Sequence, residues 1–102
     1  MNKIFKVRIA RALPESRNWN KRWQSAYGAG QQVYAWKSEA NDSETGESVY
    51  VLWAGGHFGA VRIPETQARD YLVSVRTNGK VIYLDEKQTS DVRDQYSQML
   101  WS

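Results

Sequence analysis

The sequence predicts an α+β domain: a single antiparallel sheet of five or six strands, with an early helix and a C-terminal helix packed on it. Three patterns lead there. Two apolar runs, Val49–Ala54 and Phe58–Ile63, flank a Gly55-Gly56-His57 break. Asn78-Gly79 splits a second pair of apolar runs. Apolar residues at helical spacing mark one early stretch and one at the end.

Taken in order, Lys3 to Ala10 alternates, with Phe5, Val7 and Ile9 on one face and Lys6 and Arg8 on the other. That is the period of a strand. Pro14 stops it, because proline cannot donate to a ladder but suits a first helical turn. From Glu15 to Tyr27 a helix is expected. Trp19, Trp23, Ala26 and Tyr27 share one side of it, and Arg17, Asn18, Lys21, Arg22 and Ser25 the other. Gly28 and Gly30 end it. Gln32–Lys37 is a second strand, and Asn41–Ser48 a polar loop with Gly46 at a tight turn.

The central hairpin follows. Its expected register sets Leu52 against Val61 and Tyr50 against Ile63 on one face, with Val51 against Arg62 on the other. Apolar groups on both faces suggest inner strands rather than an edge. Pro64–Gln67 opens a short helix through Asp70. Leu72–Leu84 then reads as a hairpin about Asn78-Gly79, pairing Val75 with Ile82 and Val73 with Leu84. A rival reading runs a helix from Glu65 to Thr77 with Asn78-Gly79 as its cap. Val92, Tyr96, Met99 and Leu100 form the stripe of the last helix, with Thr89 or Ser90 as its N-cap. Leu52, Val61, Ile63, Val75 and Ile82 are the expected core.

Length bounds the rest. A chain of 102 residues makes one domain, 1–102, able to bury roughly two-thirds of its unfolded surface. Five Trp, six Tyr and two Phe supply much of the apolar area. The absence of cysteine excludes disulfides, thiolate metal sites and a cysteine nucleophile, and it fits a reducing compartment, so the expected location is cytoplasmic. The longest apolar run, Val49–Ala54, is too short to span a bilayer, and no membrane role is expected.

Charge is divided unevenly along the chain. Residues 1–38 hold eight Lys or Arg and one acid, Glu15, a net of +7. Residues 39–102 hold six bases and ten acids, a net of −4. So one-sided a front half points to an acidic partner.

Motifs for chemistry are scarce. His57, the one histidine, has no neighbouring nucleophile or orienting residue in its sequence context. The glycines around it are followed by a strand, whereas a phosphate loop is followed by a helix. Asn41–Glu47 has alternating acids but lacks the ligand spacing of a calcium loop. No metal or cofactor is expected, and no enzyme activity.

The function expected is therefore that of a small non-enzymatic binding protein, an inhibitor, adaptor or immunity-type module. Its basic N-terminal surface, Arg8, Arg11, Arg17, Lys21, Arg22 and Lys37, would dock on an acidic protein surface. The alternative is a single-stranded DNA or RNA binder using the same cations with Trp19, Trp23, Tyr27, Tyr34 and Trp36 as stacking rings. The wheel sets those first three rings opposite the cations, which favours core packing for the rings.

Overall fold

Hydrogen bonding in the computed structural model, which describes residues 3–101, orders the sheet β4-β3-β2-β1-β5, every neighbouring pair antiparallel. The strands are β1 (Phe5–Ile9), β2 (Gln32–Lys37), β3 (Val49–Trp53), β4 (Val61–Pro64) and β5 (Leu72–Ser74). A two-residue pair, β6 (Arg76–Thr77) and β7 (Lys80–Val81), forms a separate ribbon. Three α-helices accompany them: α1 (Lys21–Ala26), α2 (Glu65–Tyr71) and α3 (Glu86–Trp101). The class is α+β with one main sheet, and the early and late helices lie where the periodicity puts them.

The sheet is the middle of three layers, because its strands carry apolar side chains on both faces. Val7, Ile9, Val33, Ala35, Leu52, Val61 and Ile63 form one core, covered by Trp19, Trp23 and Tyr27 from the β1–β2 connection and by Ala68 and Tyr71 of α2. Ile4, Trp36, Val51 and Trp53 form the other, against Val92, Tyr96 and Met99 of α3. Tyr96 wedges its ring between Trp36 and Trp53, at centroid distances of 4.9 and 5.3 Å. Trp53 and Tyr27 are wholly buried. Each such ring removes roughly 150–250 Å² from water, more than any aliphatic neighbour does.

The β3–β4 hairpin has the expected register, with Leu52 opposite Val61, Tyr50 opposite Ile63 and Val51 opposite Arg62. Its place in the sheet is a correction. β4 is an edge strand and β2 is the centre. Pro64 ends β4 there, at a sheet edge, where proline is tolerated.

The second hairpin is corrected further. Asn78 and Gly79 do take the left-handed turn, with φ of 53° and 78°, and Ile82 N–H bonds to Val75 C=O. Below that point the two arms separate. β5 pairs with β1, setting Val73 opposite Arg8, while Leu84 N–H donates to Ile4 C=O. The open edge of β1 offers unpaired backbone groups to both arms, and pairing there replaces the Val73–Leu84 contact. Val75 is therefore only half-buried and Ile82 is exposed, contrary to expectation, whereas Leu52, Val61 and Ile63 are buried. Residues 65–77 are a short helix and then strand, so the rival long helix is not formed.

Two helix boundaries also move. The expected Glu15–Tyr27 helix is broken into a 3-10 turn, Pro14–Asn18, and α1. Trp19 and Asn20 between them are extended, and Asn20 Oδ1 accepts from Trp23 N–H, starting α1 afresh. The last helix begins earlier than Thr89 or Ser90. Gln88 N–H donates to Asp85 Oδ1 at 2.8 Å and Asp85 N–H to Gln88 Oε1 at 3.1 Å, a reciprocal cap. Among the described residues no helix is long and apolar enough to cross a membrane.

Candidate docking surface

Antiparallel pairing decides which cations can share a surface. The end of β1, the start of β2, the end of β3 and the start of β5 meet at one end of the sheet. The β1–β2 connection, carrying Arg11, Arg17, Lys21 and Arg22, lies over that end. Arg8, one residue from the end of β1, alternates with the buried Val7 and Ile9 and so projects from the opposite face of the sheet.

The connection is held down by its own aromatic residues. Tyr27 is central: its hydroxyl donates to Gly59 C=O at 2.7 Å and accepts from Ala54 N–H at 3.0 Å. Burial pushes its pKa up from 10.0 to about 12, partly offset by the Ala54 hydrogen bond. Trp19, Trp23 and Tyr27 contact one another with centroids 5.5–5.8 Å apart. The Trp23 ring lies so close to Gly59 that a Cβ there would sit 3.2 Å from it. Gln24 Nε2 also donates to Ser16 C=O, tying α1 to the 3-10 turn.

With the rings turned inward, the cations turn outward. Arg8, Arg11, Arg17, Lys21 and Arg22 are all exposed. Glu15, the acid of the front half, is partly buried and accepts from Gln67 Nε2 at 3.1 Å. Among the described residues no carboxylate forms an ion pair with any of these five; the ion pair seen, Arg69–Glu65, lies within α2. Two of the five instead rest on ring faces. The Arg11 guanidinium is 4.4 Å from the Tyr71 centroid, and that of Arg22 is 4.8 Å from Phe58. A ring fixes the plane of a guanidinium while leaving its N–H edge for an anion, which a carboxylate would compete for.

Lys37 does not join them. It sits at the far end of β2, opposite Tyr50 and five residues beyond Gln32, about 17 Å along the strand. That end also bears the β2–β3 connection, residues 38–48, with Glu39, Asp42, Glu44 and Glu47 and no base. The polarity of the sequence is thus partly a polarity of the molecule: the connection with four cations lies at one end of the sheet, and a loop with four acids at the other. Asp42 has a structural task there. Its Oδ1 accepts from the N–H groups of Glu44 and Thr45 at 2.9 Å, which holds its carboxyl below the usual range.

Phe58 and Tyr71 were not legible as platforms for the arginines. Both lie far along the chain from their cations, and nothing local marks the pairing. His57 is exposed at the loop tip, and among the described residues no group of three or more His, Cys, Asp or Glu is placed to hold a metal. No protein-family model matches the chain, and neither the curated proteins nor the solved structures yield a match.

Proposed function

We propose that this chain is a small non-enzymatic docking module, cytoplasmic, that seats the cationic end of its sheet on an acidic surface of a protein partner. The observation carrying this reading is the set of five exposed cations without carboxylate partners, two of them steadied on ring faces. Arg11, Arg17, Lys21 and Arg22 lie on one connection with a single acid, Glu15, and an anionic partner offsets their like charge. Arg11 and Arg22 would supply forked hydrogen bonds to carboxylates, with Arg8, Arg17 and Lys21 steering the encounter.

A protein is favoured over a single strand because Tyr27 is wholly buried and Trp19 and Trp23 are packed against the core and one another, and stacking needs open ring faces. Affinity capture from a nuclease-treated host lysate tests this. The parent should retain an acidic protein that Arg17→Glu/Lys21→Glu/Arg22→Glu loses while keeping its fold. Retention of the same partner at equal affinity by the triple variant would refute the reading, as would capture that disappears with nuclease.

A further inference from the structure

A broad concavity lies away from the cationic end, on the sheet face shared with Phe5 and Val7. Two hollows there adjoin. One, of about 210 Å³, runs between α2 and the sheet, with Phe5, Tyr50 and Arg69 in its lining. The other, an open basin of about 710 Å³, has Phe5, Tyr50, Tyr83, Lys3 and Lys37 in its lining. Phe5 and Tyr50 belong to both, so the hollows form one groove.

Its floor is aromatic. Phe5 meets Tyr50 edge-on at 6.3 Å and Tyr83 at 5.8 Å. Tyr83 is the reachable ring of the three, at 53% exposed, while Phe5 and Tyr50 are half-buried against the core. Register explains why they gather. Lys37 pairs with Tyr50 across β2 and β3, and Tyr83 forms an isolated bridge with Phe5 at the other side of β1. Lys3 sets its ammonium 5.6 Å from the Tyr83 centroid, and Lys37 stands at the same rim. Among the described residues, Glu39 also lines the rim.

We propose that this groove binds a flat aromatic ring bearing an anionic group, the chemistry of a nucleotide. The ring would stack on Tyr83 and Tyr50, and the anion would lie toward Lys3 and Lys37. A free mononucleotide and one unit of a single strand offer the same chemistry. The site is separate from the docking surface and does not rest on it.

Titration with adenosine monophosphate, followed by NMR of the tyrosine side chains, tests the site directly. A labelled eight-residue oligothymidylate, followed by anisotropy, separates the sources. Tighter binding of the strand than of the mononucleotide identifies a single strand as ligand, and the reverse identifies the free nucleotide. In either case Tyr50 and Tyr83 resonances should shift. Tyr83→Ala should weaken binding about tenfold or more, while Tyr83→Phe, which keeps the ring, retains it. Lys37→Glu should weaken binding too, and Arg22→Glu should leave it unchanged. Absence of shifts at Tyr50 and Tyr83 with both probes overturns the proposal. So does a folded Tyr83→Ala that binds like the parent, or equal loss in Arg22→Glu, which would move the site to the cationic end. Because the variants differ, failure here leaves the docking proposal standing, and failure there leaves this one.

Discussion

The two ends of the sheet solve the same problem in opposite ways. Each gathers aromatic side chains and several charges. Beneath α1, Trp19, Trp23 and Tyr27 are packed inward and the cations stand outside. At the other end, Tyr50 and Tyr83 line an open groove, and a loop with four acids lies beside them. Aromatic and basic residues interleaved in a sequence therefore carry no fixed meaning. Whether a helix covers the rings decides whether the surface offers charge or stacking.

Stability should divide the ends first. Leu52, wholly buried in the core that the α1 rings cover, should cost about 2–5 kcal/mol on change to Ala, read as a lowered denaturant midpoint. Tyr27→Phe should cost about 1–3 kcal/mol, since it leaves Gly59 C=O and Ala54 N–H without the hydroxyl. It should also change the alkaline limb. A folded-state pKa raised from 10.0 to about 12 gives stability that is complete below pH 10 and lost as pH rises toward 12. The parent should lose more than Tyr27→Phe over that window in parallel thermal melts.

At the acidic end the effects are smaller and opposite in pH. Asp42, whose carboxyl is held low by the Thr45 and Glu44 amides, contributes above its unfolded pKa and ceases to as pH falls through its folded value. Asp42→Asn should therefore flatten the acid limb of a melting-temperature profile without moving the alkaline one. Tyr83→Ala, at an exposed ring, should change stability by about 0.5 kcal/mol or less. A larger loss would make the groove's rings part of the core and end the contrast between the two regions.

The sequence showed the sheet's inner logic well and its edges poorly. Alternation placed Phe5, Val7 and Ile9 on one face, and the Leu52–Val61 register followed from two apolar runs about a short loop. The ribbon after Tyr71 misled because Asn78-Gly79 fixes a turn only locally. How far its arms stay paired depends on the free edge of β1, some 65 residues earlier in the chain and invisible to local pattern. The cap at Asp85 was missed because the apolar stripe begins only at Val92, about two turns later. Of the candidate cations, Arg17, Lys21 and Arg22 are exposed, but the single wheel behind them is broken at Trp19 and Asn20, and Arg22 lies against Phe58. Lys37 was grouped with them by sequence proximity alone, and strand direction carries it to the other end.

Photo-crosslinking compares the two ends most directly. Ser25, exposed on α1 among the cations, and Ser43, exposed in the acidic loop, can each be replaced by a photoreactive residue without removing a charge. In nuclease-treated host lysate, the probe at Ser25 should form an adduct with an acidic protein, suppressed by rising salt, and the probe at Ser43 should form none with that partner. An adduct with the same protein from Ser43 and not from Ser25 would contradict docking through the cationic end.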